Sequence, residues 1–186
     1  MARKRVQADF DDLLVAPPDA DGRYCALWFG KHGDSAMYVA GYEDASELLF
    51  ARIAEQGADN AIVYPFRMLA RHTVEISLKD ALQAADRSLR YSGLESHIDT
   101  SWIWSTHNFE GLTKVLEREI APILPLAGEP WSRTRAFLFK WERADPDGKF
   151  ARYGREVGGK PVEVKRNVYV GTIWPQARHA RDYLLE

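Results

Sequence analysis

The chain of 186 residues contains one cysteine, Cys25. A single thiol forms no disulfide within the chain and no cysteine metal cluster. A reducing setting, the cytoplasm, is therefore expected. Cys25 sits in the apolar run Tyr24–Phe29, which reads as a packed structural thiol rather than a nucleophile. No run of about 18 apolar residues occurs, so no segment is expected to cross a membrane. The opening MARKRVQADFDD has a basic cluster but no apolar stretch behind it, unlike a secretory signal. There is no GxGxxG, no phosphate loop and no GxSxG nucleophile turn. Gly158-Gly159-Lys160 lacks the following Ser or Thr and the upstream glycine of a phosphate loop, and a hairpin turn accounts for it. His-x-x-x-His and Glu-x-x-His spacings are missing, so neither a metal nor another cofactor is expected. Nor does one sign of charge dominate: 25 basic and 27 acidic side chains leave a net of −2. That balance argues against general coating of nucleic acid.

What is present suits a folded domain. Apolar residues make up 46% and aromatics 12%, with six tryptophans, enough for a sizeable core. Charge is distributed unevenly, with a net of −5 over residues 1–60, −1 over 61–128 and +4 over 129–186. An anionic partner is expected at the C-terminal third.

Residues 1–23 are polar, contain Pro17-Pro18, and read as an N-terminal arm. A single domain is expected over 24–186. Asp34 or Ser35 is placed to cap a helix over about 36–56, with Gly57 as its stop. A central helix follows over about 61–86, with Pro65 assigned to its first turn. Gly93 marks a break, Ser101–Ser105 leads onward, and Thr106 is read as the cap of a helix carrying Phe109, Leu112, Val115, Leu116 and Ile120. Pro122 and Pro125 stop that helix. Residues 126–131 read as a linker, and Ser132–Trp141 as a short helix or a strand. Asp145-Pro146-Asp147-Gly148 has the order of a tight turn. Phe150–Val157 and Pro161–Tyr169 flank the Gly-Gly-Lys turn as a hairpin. Pro175–Leu185 reads as a terminal helix. The fold class is mainly α, an antiparallel helical bundle with a small β-hairpin at about 150–170.

Tyr64–Leu82, YPFRMLARHTVEISLKDAL, carries the most information. Its apolar residues recur at helical spacing. Arg71, Glu75 and Lys79 run i, i+4, i+8, and His72 borders the same face. Read for function, this is a polar pocket with His72 as acid–base and Arg71 or Lys79 holding an anion. Read for structure, it is a set of ion pairs or a polar network fixing helix register. His107, in the next helical stretch, either caps that helix or joins the cluster. On the hairpin, Lys149, Arg152, Tyr153 and Arg155 read as a basic strand or as an RNA or anion contact. Asp145 reads as a turn residue. Trp102, Trp104, Trp131 and Trp141 read as core or interface anchors.

Three segments together resemble a known family. They are Tyr64-Pro65 with Arg71-His72-x-x-Glu75-x-x-Leu78-Lys79, then His107-Asn108 followed by Leu112, then Asp145–Tyr153, DPDGKFARY. This pattern, over about residues 36–155, is similar to the HEPN-like helical domains of prokaryotes. The resemblance implies an up-and-down helical bundle, often dimeric, and RNA cleavage, nucleotide binding or a conflict system such as toxin–antitoxin or phage defence. The nuclease branch carries an Arg, four to six residues and a His. Arg67–His72 and Arg90–His97 match that spacing, but Met68 and Tyr91 stand where the motif has a polar residue. The resemblance thus implies binding of RNA or a nucleotide, with ribonuclease activity left open. The alternative is a non-catalytic helical module that pairs with itself or with a partner chain.

Overall fold

The computed structural model describes residues 35–124, 126–148 and 170–185, all within one compact unit, Asp34–Glu186. These residues are mainly helical, in six α-helices: α1 (Ser35–Gln56), α2 (Asn60–Tyr91), α3 (Thr100–Ser105), α4 (Phe109–Ile120), α5 (Gly128–Ala144) and α6 (Ile173–Leu185). Short 3-10 turns lie at Pro146–Gly148 and Val170–Thr172. No β-strand occurs among the described residues. The arm over 1–23, the run Tyr24–Phe29 and the two hairpin strands all lie outside the described residues. Among the described residues, no helix is long and apolar enough to cross a membrane.

Local signals set most boundaries. α1 ends where expected: Gly57 takes φ 85°, and its N–H donates to the Ile53 carbonyl at 2.9 Å. α2 is longer than the spacing predicts at both ends. It begins at Asn60 because the Asp59 carboxylate accepts from the Ile62 N–H at 3.0 Å. Pro65 therefore lies inside the helix rather than in its first turn. Proline removes one helical hydrogen bond there, and the cap together with burial of Ile62 and Val63 outweighs the loss. At the other end the Asp86–Arg90 pair sustains the helix, and Gly93 (φ 71°) follows its end. Ser101–Ser105 turns out to belong to a helix of its own, started by Asp99, whose carboxylate accepts from the Ser101 and Trp102 N–H groups.

Thr106 is not the cap of the next helix. It closes α3, and Asn108 caps α4 by accepting from the Gly111 N–H at 2.6 Å. α4 stops at Ile120, ahead of Pro122. The helix-or-strand alternative at Ser132–Trp141 resolves as helix, and α5 starts at Gly128, within the stretch read as a linker.

The core forms around α2, which touches α1, α3, α4 and α6. α1 runs antiparallel to it, as Phe50 stacks on Phe66 and Tyr42 meets His72. The chain then returns alongside α2, from Ser96 at Asp86 to His107 at Glu75, and α4 sets off in the same sense as α2. α5 runs back along α4: Trp131 Nε1 donates to Glu117, and Glu142 reaches the Phe109 N–H. α6 reverses again, packing Tyr183 on Trp131 and Trp174 on Phe66. Arg178 pairs with Glu47 at 2.8 Å and Arg181 with Glu43, tying α6 to α1. Phe66, Ala70, Val74, Leu78 and Leu82 are fully buried along α2. The Asp59 cap is isolated enough to test alone. Asp59→Ala is expected to lower stability by about 1 kcal/mol in denaturant unfolding, with an unchanged helical spectrum.

Candidate functional site

α2 buries a stripe of charge beside its apolar residues. Arg67, Arg71, Glu75 and Lys79 follow one another every four residues and are 7%, 2%, 5% and 3% exposed. Burial of this kind is costly unless each charge has a partner, and the partners come from two other parts of the chain. Glu142 and Asp145, three residues apart at the end of α5, face Arg71 and Arg67: Arg71 Nη2 donates to Glu142 Oε2 at 3.1 Å, and Arg67 Nη2 lies 3.9 Å from Asp145 Oδ2. The second source is the α3–α4 connection. Arg71 Nη2 also donates to the His107 carbonyl at 2.9 Å, and the His107 ring meets Glu75 Oε1 through Nδ1 at 2.8 Å. Lys79 Nζ donates to the same Glu75 oxygen at 2.9 Å.

The network also completes the start of α4. Glu142 Oε2 accepts from the Phe109 N–H at 2.9 Å, and Glu142 Oε1 from Asn108 Nδ2 at 3.4 Å. A carboxylate at a helix N-terminus satisfies a free N–H and complements the helix dipole. The Arg71 guanidinium lies 4.1 Å from the Phe109 ring centroid, a cation–π contact. Its Nε and Nη1 are buried without a hydrogen-bond partner. Gly148 lies against the same group: a Cβ there would stand 2.5 Å from Arg71 Nε, and φ is +65°.

Electrostatics follow from this packing. Burial alone pushes the Glu75 carboxyl up, but Lys79 and His107 outweigh it and hold it below the ordinary carboxylate value. Burial pushes the Arg67 guanidinium down, against the pull of Asp145. One edge of the network is accessible. The His107 side chain is 35% exposed, and Trp104 is 47% exposed with Lys79 Nζ 5.6 Å from its ring centroid. Where His107 Nδ1 carries the proton shared with Glu75, Nε2 is the ring nitrogen left for another partner.

Arg71, Glu75, Lys79 and His107 are thus brought together. His72, one residue on from Arg71, turns toward α1, and its ring meets Tyr42 edge-on at 5.2 Å. Lys149, Arg152, Tyr153 and Arg155 lie outside the described residues. Arg90 and His97, the second spaced pair, bind Asp86 and approach Glu95 respectively. The sequence singled out Arg67 only through its spacing to His72, not as a member of this stripe, and gave no sign of Glu142 or of the burial of Asp145. Arg67 was legible as the i−4 neighbour of Arg71. Glu142 and Asp145 share a face three residues apart, but nothing local marks that face as buried. Among the described residues, no three His, Cys, Asp or Glu side chains converge as metal ligands would.

Comparison with protein-family models, with curated proteins and with solved structures found no match for this chain.

Two measurements probe the network. Gly148→Ala forces a Cβ onto the buried Arg71 side chain at a left-handed position, and is expected to cost about 2–4 kcal/mol in chemical unfolding. The second is pH dependence. Because the folded Glu75 carboxyl titrates below the unfolded one, its stabilisation is fully present above the ordinary value near 4.5 and is lost as pH falls through the folded value. Unfolding midpoints of Glu75→Gln are therefore expected to fall less steeply on acidification below about pH 4.5 than those of the parent. Parallel curves would remove Glu75 from the acid response.

Proposed function

We propose that this chain is a HEPN-like antiparallel helical bundle that binds RNA or a nucleotide at the Trp104–His107 edge. The observation that carries the reading is the partly exposed His107, held by a buried Glu75 whose other partner, Lys79, lies against the exposed Trp104 indole. A carboxylate that fixes the histidine tautomer leaves Nε2 as the proton acceptor, which suits acid–base work on a ribose hydroxyl or a phosphate. An exposed tryptophan offers a stacking face to any base. Buried Lys79 and Arg71 add positive charge beneath that edge. Defence or toxin–antitoxin biology belongs to the same reading.

A second reading, a non-catalytic helical interaction module, draws on a different observation. Arg71, Glu75 and Lys79 are at most 5% exposed and bound to one another's partners. On that reading the cluster holds helix register and contacts no ligand.

Titration of fluorescent single-stranded RNA and of nucleotides at low salt separates the two. The first reading expects saturable binding that Trp104→Ala weakens about tenfold, since stacking on one base contributes about 1–3 kcal/mol. Any cleavage would disappear in His107→Ala. Absence of both binding and cleavage in folded protein would sink the first reading and leave the second.

A further inference from the structure

α1 buries only part of its circumference. Val39, Ser46 and Ile53 face α2, while Leu48 on the outer side is 73% exposed and Met37 is 56% exposed. Leu48 is the most exposed aliphatic side chain among the large hydrophobics described. On the same outer face, Asp44 lies four residues before it and Arg52 four residues after it, and both are exposed. Among the described residues, neither takes part in an ion pair. They stand eight residues apart, about 12 Å along the helix, too far to pair with each other. Ala45 and Ala51 flank Leu48 at three residues on either side, and Gly41 leaves open space at its Cα.

Within four residues on either side, the pattern is symmetric about Leu48. In an antiparallel pair of identical helices related by a two-fold axis through Leu48, each residue meets the one equally far on the other side. Leu48 meets Leu48, Ala45 meets Ala51, and Asp44 meets Arg52, twice over. Small residues beside the axis allow close approach, and the exposed leucines bury each other. Two charges without an ion-pair partner among the described residues each find one of opposite sign. Glu43 and Glu47, by contrast, are already engaged by Arg181 and Arg178 of α6, and exposed Glu55, seven residues after Leu48, falls opposite Gly41 of the other copy. From this self-complementarity we infer that the outer face of α1 pairs with the same face of a second copy of the chain, antiparallel, with Leu48 on the two-fold axis. The inference holds under either functional reading, because it uses none of the residues at the Trp104–His107 edge.

One helix face is a small interface, so association in the micromolar range fits. The test is sedimentation equilibrium of the full chain, with circular dichroism of each variant as a fold control. The parent is expected to rise with concentration from 21.2 kDa toward twice that mass. Leu48→Glu is expected to weaken association at least tenfold. Asp44→Arg alone sets arginine against arginine, and Arg52→Asp alone sets aspartate against aspartate, so each single variant is expected to be monomeric. Mixing the two singles supplies one all-positive and one all-negative face and should restore a mixed dimer. The double variant Asp44→Arg/Arg52→Asp should restore a homodimer. A parent that stays monomeric to about 200 μM overturns the inference. So does a dimer indifferent to Leu48→Glu, which would lie on another surface. Singles that fail to associate when mixed, while the parent dimerises, overturn the antiparallel register.

Discussion

The contact between Arg71 and Glu142 is the constraint from which the rest of the interior follows. It joins α2 to α5 across the start of α4, and each of its atoms has a further task. The Arg71 nitrogen that binds Glu142 also binds the His107 carbonyl, and the Glu142 oxygen also binds the Phe109 amide. The guanidinium lies on the Phe109 ring on one side and meets Gly148 on another. An arginine this deep loses its hydration, and the cost is offset only because charge, ring and backbone converge on it. Removing one member leaves the others buried and unmatched, which costs far more than the same pair at a surface.

This arrangement also explains how a buried network could serve function. Glu75 belongs to the buried network, while the histidine it holds is partly in contact with water. A residue held from below by two buried charges, Glu75 on its ring and Arg71 on its backbone carbonyl, has few orientations left, which is the preorganisation that binding and proton transfer need. The exposed indole of Trp104 lies over the next member of the stripe, so the boundary between closed interior and open edge runs between Lys79 and His107.

Helical periodicity made the main elements legible. Phe66, Ala70, Val74, Leu78 and Leu82 mark α2, and Phe109, Leu112 and Leu116 mark α4. Caps were harder. Thr106 and Asn108 are both good candidates by residue type, and only the geometry at Gly111 selects Asn108. Pro65 misled because proline near a helix start favours the first turn, whereas here Asp59 starts the helix earlier. For the site, the i, i+4, i+8 run made Arg71, Glu75 and Lys79 visible as a group. Their burial was not visible, because an exposed salt-bridged face has the same spacing. Glu142 lies 71 residues from Arg71, and no local pattern encodes a contact at that separation.

The charged stripe carries a further consequence, best put as information. The buried apolar rungs of α2 repeat every four residues, so sliding the helix by one turn would set a similar side chain in each place, Val74 for Ala70 or Leu82 for Leu78. An apolar core alone is nearly degenerate under that slip. The charges are not. Read in order, Arg67, Arg71, Glu75 and Lys79 spell plus, plus, minus, plus. A one-turn shift would bring the carboxylate of Glu75 against Glu142, or set Arg71 against the His107 ring in place of the Glu75 carboxylate. A pattern with one reversed sign has one alignment, and the fold uses it as an index mark on an otherwise repeating ruler.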